Sequence, residues 1–403
     1  MSTGRGLPMG VLVLALLGGQ FAFEVPVHGQ PRRRTGACES DVLRKLKFVA
    51  PGTAWAIAEQ PAPDYGGDRQ NCMGSHLYLT DNNGQSWRDI TPRPMPTRNM
   101  QGVFFLDRKH GWMLSTDALA EQENARFYLL STKDGGKHWR TLVLTRPMFR
   151  LMDDYYGPSA PYFFDARHGW ILWEWHMMNS TQNALLATSD GGRTWKRLPD
   201  PPGAGPMQFL SARDGWMIGG PENWEGVGRP GDEQLWLTHD GGLQWSPVSL
   251  SVPTDSPGQE VYLIDFKFRN MNAGVVAAGA QDMEGVDQKY TNCFTEDGGK
   301  TWHFSQFEAL SGSPSVGDRH IFWCIRDRGS KDSTLQRDID PLYFALPEGF
   351  DNLHGPVCAT FMDDFNGWAG VRDESGVTKL IVTNDGGKSS KFISWPHASA
   401  NPR

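Results

Sequence analysis

Short apolar runs set the rhythm of this chain. Phe127-Tyr128-Leu129-Leu130-Ser131, Ala184-Leu185-Leu186-Ala187-Thr188 and Gln234-Leu235-Trp236-Leu237-Thr238 are each one strand long and rich in β-prone residues. No long apolar pattern of helical period stands out, so the expected class is all-β. Each run leads into the same polar phrase, Thr-x-Asp-x-Gly-x-x-Trp. It occupies 132–139, 188–195, 238–245 and 295–302, and two copies are altered. The copy at 80–87 has Asn82 in place of Asp, and the copy at 383–390 ends in Ser390 instead of Trp. The phrase's Gly falls at 84, 136, 192, 242, 299 and 387, with gaps of 52, 56, 50, 57 and 88. A period near fifty residues marks a repeat architecture.

A second phrase runs in step: an aromatic residue, a polar turn, then Gly-Trp. Phe105 leads to Gly111-Trp112, Phe164-Asp165 to Gly169-Trp170, Phe209 to Gly215-Trp216, and Phe361 to Gly367-Trp368. Phe48 to Trp55 and Phe266 to Gly274 are looser versions. Each unit therefore reads as four short strands. The aromatic lies on strand one, strand two begins at Gly-Trp, strand three ends at Thr, and strand four begins at the Trp of the first phrase. Gly-Gly supplies positive φ for a tight hairpin. The Asp carboxylate accepts N–H groups of its own turn, and the Trp is a plate to bury between neighbouring sheets. Four-stranded units at this period build a β-propeller, in which radial stacking hides the sheet faces.

The first phrase resembles the Asp-box, or BNR repeat, of sialidase-type propellers, over roughly residues 45 to 395. The resemblance implies a single propeller of six or seven four-stranded blades. It also implies that Asn82, Asp134, Asp190, Asp240, Asp297 and Asp385 build turns at the blade edge, away from any ligand. Asp-boxes occur in sialidases, sortilin-type receptors, xyloglucan hydrolases and photosystem II assembly factors. Gly-Trp beside an aromatic-Asp turn is most similar to the non-enzymatic, assembly-factor-like branch. Sialidases place an arginine in a Phe/Tyr-Arg-Ile-Pro phrase ahead of the boxes. The nearest match, Phe149-Arg150-Leu151-Met152, follows the second box and lacks the Pro.

The repeat also accounts for much of the composition, 16 Trp and 46 Gly in 403 residues, which is high for an ordinary enzyme. Ahead of it, Arg5 and the apolar stretch 9–17 read as a leader cleaved after Gly29, too short to cross a bilayer. The expected organisation is a signal peptide at 1–29, a tail at 30–44, the propeller at 45–396 and a C-terminal tail at 397–403. Residues 307–356 form an insertion or a degenerate seventh blade; Ile321 to Ile325 and Leu342 to Leu346 read as strands within it. An exported, monomeric protein with no transmembrane span after leader removal is expected. Export permits disulfides. Cys38 with Cys72 would pin the tail, Cys324 with Cys358 or Cys293 would tie the insertion, and one cysteine is left over. No zinc spacing, phosphate-binding loop or G-x-S-x-G occurs, so no metal and no cofactor is expected.

Propeller geometry puts the Asp-box turns and the one-to-two turns on one face. The two-to-three loops (59–76, 117–126, 173–183, 219–233, 280–290 and 372–378) and the blade connections (91–101, 145–161 and 307–356) share the other. Loops on a rigid scaffold carry function, so that second face is the expected working surface. Its densest cluster is Trp173, Glu174, Trp175 and His176, of which the first three are ligand candidates. Asp153, Tyr155 and Tyr156 follow, with Glu222 and Trp224. Aromatic rings beside carboxylates suit a protein or peptide partner, or a glycan by ring stacking. Equally, Trp173 and Trp175 extend strand two, where one of them would enter the core. The glycosidase alternative needs two carboxylates about 5–10 Å apart, and fold alone does not award that activity. A net charge of −7 argues against nucleic acid and anionic membranes as partners.

Overall fold

A computed structural model describes residues 42–59, 75–95, 99–116, 127–144, 159–177, 180–220, 234–254, 259–281, 288–308, 311–316, 321–326, 333–337, 354–372 and 378–393. All regular structure among them is β. The first sheet holds β1 (Val42–Ala50), β2 (Thr53–Glu59), β3 (Ser75–Thr80) and β4 (Arg88–Asp89). The second holds β5 (Asn99–Phe105), β6 (Gly111–Thr116), β7 (Phe127–Thr132) and β8 (Arg140–Leu144). The third holds β9 (Tyr162–Phe163), β10 (Gly169–Met177), β11 (Ser180–Thr188) and β12 (Lys196–Arg197). The fourth holds β13 (Met207–Phe209), β14 (Gly215–Gly219), β15 (Gln234–Thr238) and β16 (Ser246–Val248). The fifth holds β17 (Glu260–Phe268), β18 (Gly274–Gln281), β19 (Gln288–Thr295) and β20 (His303–Glu308). A three-stranded sheet follows, β21 (Ser311–Val316), β22 (Ile321–Arg326) and β23 (Ser333–Arg337). The last has four strands, β24 (His354–Phe361), β25 (Gly367–Arg372), β26 (Thr378–Thr383) and β27 (Lys391–Ile393).

Every sheet is an antiparallel meander of consecutive strands, and six of them have the four strands of a propeller blade. The three-stranded sheet lies between the fifth and the last, with β21 against β17 and β24. It falls inside the 307–356 segment. The first and last sheets meet through β1 and β24 without exchanging a strand. The propeller begins at Val42, ahead of the expected boundary at 45. Strand four begins one residue after the box Trp, at Arg88, Arg140, Lys196, Ser246 and His303. The indole is thus in the turn, free to lean on the preceding sheet. Trp139 does so by donating its Nε1–H to the Ile90 carbonyl at 2.8 Å.

The two phrases interlock. In the box, the Thr hydroxyl donates to the Asp or Asn side-chain oxygen at 2.8–3.0 Å. The same hydroxyl accepts the N–H of the phrase's Gly, whose positive φ (+81° at Gly136) no side-chain-bearing residue takes cheaply. The altered copy at 80–87 keeps this geometry with Asn83 at φ 59°. Asn82 Oδ1 still accepts the Ser86 N–H at 3.0 Å.

Strand one's aromatic sits directly over the Gly of Gly-Trp. Register pairs Phe105 with Gly111, Phe163 with Gly169, Phe209 with Gly215, Phe268 with Gly274 and Phe361 with Gly367. A Cβ on Gly169 would lie 2.5 Å from the Phe163 ring. The opposite side of that ring takes the Trp of the preceding sheet: Trp112 on Phe163 at 3.6 Å and 7°, Trp170 on Phe209 at 3.5 Å and 2°, Trp216 on Phe268 at 3.8 Å and 5°. Two expected aromatics are corrected, the first by one residue to the other side of the strand and the second by two residues along the same side. Phe163, 1 % exposed, fills the role expected of Phe164, which faces solvent. Phe268 fills that of Phe266, which is buried edge-on against it.

Candidate functional site: two faces and an axial cavity

Box turns and one-to-two turns share a face, as expected, and are joined there. The N–H of Gly135, Gly191, Gly241, Gly298 and Gly386 donates to carbonyls of Lys109, Arg167, Arg213, Asn272 and Phe365 at 2.7–2.9 Å. In the first sheet Asn83 and Gly52 do the same. The one-to-two turns are capped by Asp107, Asp165, Ser211, Asn270 and Asp363, each accepting two N–H groups.

Hydrogen bonding fixes the charge of the box carboxylates. Burial raises the Asp190 pKa, but the Thr194 hydroxyl and N–H, the Thr188 hydroxyl and the Arg193 N–H outweigh it and hold it at about 2. The Thr301 hydroxyl and N–H hold Asp297 at about 2, and those of Ser389 do so for Asp385. Asp134 is lowered first by the His138 N–H and ring. Burial works against Asp240, yet the Gln244 N–H and Thr238 hydroxyl lower it. Anionic and saturated with donors from their own turns, these groups are scaffold.

Of the expected ligand cluster, one member is turned inward by its strand. Trp173 is a correction: it is fully buried in the core and meets Phe127 edge-on at 4.4 Å. Glu174 is half-buried and stands opposite Asn183 on the neighbouring strand. Trp175 stands opposite Gln182 in the same register. Asp153, Tyr155, Tyr156, Glu222 and Trp224 lie outside the described residues, as do Cys38 and Cys72. Cys324 and Cys358 occupy β22 and β24. Cys293 is a free thiol buried in the fifth sheet, which removes the Cys324–Cys293 alternative; burial pushes its pKa up to about 12.

Strand-level alternation places a different set of residues together. A cavity of about 720 Å³ runs along the inner strands, and strand one of all seven sheets or the segment leading into it contributes to its wall. Its charged lining is Lys45, Lys47, Asp265 and Lys267. In β1 the charges alternate with Leu46 and Phe48, and in β17 with Phe266 and Phe268, which point into the blades. Register shifts immediately precede Lys45 and Asp265, between Leu43 and Lys45 and between Leu263 and Asp265. Such bulges re-aim the side chains that follow. Asp265 accepts the Phe266 N–H at 2.8 Å, and the Lys267 ammonium donates to the Met362 carbonyl at 2.8 Å. Burial pushes the Asp265 carboxyl up, with Lys47 the main opposing influence. Two charged positions in step within two inner strands were the sequence signal for this wall.

Comparison with protein-family models finds no match, and neither does comparison with curated proteins. Solved structures do match. The β-propeller domain of the Trilobed protease from Pyrococcus furiosus, described as having an open velcro topology, aligns with TM-score 0.51 at 8 % identity, over 89 % of this chain and 97 % of that one. YCF48 bound to D1 peptide aligns with TM-score 0.43 at 20 % identity, over 74 % and 83 %. Trypanosoma rangeli sialidase aligns with TM-score 0.43 at 10 % identity, over 87 % of this chain and 54 % of that one. At these identities the likeness is one of fold. The fold is a β-propeller.

Proposed function

We propose that this protein is a non-enzymatic binding propeller that engages a protein or peptide on the face of the two-to-three loops and blade connections. The observation that carries the reading is the opposite face. There, six boxes and six one-to-two turns satisfy one another's hydrogen bonds and hold their carboxylates as fixed anions. A face so closed on itself is a rigid base, and rigid bases present ligands with the loops at their other end. Glycoside hydrolysis requires a proton-donating and a nucleophilic or basic carboxyl facing one another. The described cavity wall carries one carboxylate, Asp265, among three lysines. Export by the 1–29 leader is part of this proposal, and the secreted chain then begins at Gln30.

The test sets purified protein against a displayed random-peptide library, a glycan array and a panel of aryl glycosides. Peptide binding without turnover supports the reading. Turnover of any glycoside that is abolished by Asp265→Asn or Glu174→Gln overturns it.

A further inference from the structure

The axial cavity has a charge opposite to that of the molecule. The chain is acidic overall, with a net charge of −7, yet the described wall sets three ammonium groups against a single carboxylate. Three of the four are already engaged. Lys267 is tied to the Met362 carbonyl, and Asp265 has the Phe266 N–H and the attraction of Lys47. Lys45 has no hydrogen-bond or ion-pair partner among the described residues. It stands two residues from Lys47 on the same side of β1, so two like charges share one stretch of wall. Val49, Val103, Pro161 and Met207 add apolar surface nearby.

We propose that the axial cavity is a binding site for a small oxyanion, a carboxylate or a phosphate or sulfate group on a compact carbon skeleton, held between Lys45 and Lys47 with Lys267 completing the positive wall. A lysine on a cavity wall touches water inside and protein around it, so exposure and desolvation coexist there. Burial and the neighbouring Lys47 both lower the Lys45 pKa, and an anion at this point relieves both. Charge-assisted hydrogen bonds from ammonium to oxyanion are the stronger kind, and a partly enclosed wall screens them less than open solvent does. This inference is independent of the loop face: the occupant is a small molecule on the axis, and either proposal stands if the other falls.

The experiment is calorimetric titration of the full mature protein at low ionic strength with acetate, inorganic phosphate and sulfate, and with glycerol as the neutral probe. Saturable binding of at least one anion, weakening as salt is added and absent for glycerol, is expected. The substitution Lys45→Gln, at an exposed position and with the Lys47–Asp265 attraction left in place, keeps the wild-type circular dichroism and melting curve and lowers the affinity at least about tenfold. Preference for acetate identifies a carboxylate ligand; preference for phosphate or sulfate identifies a tetrahedral one. Absence of saturable anion binding by the wild type, or equal affinity in the folded Lys45→Gln variant, overturns the proposal.

Discussion

Gly169→Ala tests the interlock of the two phrases at its tightest point. The substitution adds one methyl group on a strand, at a glycine without positive φ, so the backbone accepts it. The obstacle is Phe163. The new Cβ would lie 2.5 Å from two atoms of that ring, against an optimum of about 3.5–4.0 Å for carbon contacts. Phe163 cannot retreat freely, because Trp112 is stacked on its other face at 3.6 Å and 7°. Overpacking of this kind costs about 1–3 kcal/mol, and forfeiting the stack adds about 0.5–1.5 kcal/mol. Stiffening the unfolded chain returns about 0.4–1 kcal/mol. The net expectation is a destabilisation of about 2 kcal/mol, read by urea unfolding followed through tryptophan fluorescence. Phe163→Leu in the same background removes the obstacle, so the double variant should lose less than the sum of the singles by about 1 kcal/mol or more. A Gly169→Ala protein within about 0.5 kcal/mol of wild type, or strictly additive losses, would refute the sandwich as the reason for this glycine. The first sheet contains a natural version of the change. Ala54 stands opposite Phe48 there, and Phe48 meets Trp368 edge-on at 5.2 Å and 78° in place of a flat stack.

Two further expectations concern the boxes. Asp190→Ala strips acceptors from the Thr188 hydroxyl, the Arg193 and Thr194 N–H groups and the Thr194 hydroxyl, and should cost about 1–2 kcal/mol in urea unfolding. Asp190→Asn should cost well under that, since Asn82 already fills the same role; equal losses for the two would show that charge, not acceptor geometry, is what the turn needs. Stability should hold between pH 5 and 7 and fall as the pH drops from about 4 toward 2. The folded pKa values of Asp190, Asp297 and Asp385 are depressed to about 2, so their contribution is present above the unfolded value and lost as they protonate. Urea midpoints that stay level down to pH 2.5 would contradict those shifts.

What the sequence made legible was local. A box needs only residues within eight positions of one another, so its turn, its positive φ and its inward hydroxyl could be read from spacing. The sharing of a face by box and one-to-two turns followed from strand topology alone. Legibility failed where a side chain's neighbours come from another blade. Phe163 and Phe164 are equivalent in sequence, and only the stack with Trp112 decides between them. Trp173 reads as a surface plate or a core residue until the second sheet's Phe127 is placed against it. The segment 307–356 has no box because its sheet has no strand-four hairpin among the described residues, so the feature that counts blades was missing there. The axial cavity is assembled from all seven inner strands or their approaches, each contributing one to five residues, and no single stretch announces it.

The joints between sheets are not equal, and their differences run the same way as the charges. From the second sheet to the fifth, flat Trp-on-Phe stacks make three successive joints. At the fifth sheet the Gly-Trp phrase becomes Gly274-Val275, so no indole reaches forward to the three-stranded sheet. At the last joint Trp368 meets Phe48 edge-on and is itself met edge-on by Trp87, and no strand crosses. The arc from β17 through β21 and β24 to β1 therefore lacks the flat aromatic stacks of the other side. Neutral side chains tie the stacked joints as well, Tyr162 to the Phe209 carbonyl and Gln208 to the Phe268 backbone, whereas along this arc the ties come from charged groups: Lys267 of β17 reaches the Met362 carbonyl just beyond β24, and Lys47 of β1 attracts Asp265 of β17 across the axis. Charged groups in the wall thus do structural duty where aromatic stacks are absent, which accounts for Lys47, Asp265 and Lys267. Lys45 has no such duty among the described residues, and that is the physical reason to look for its partner in a ligand.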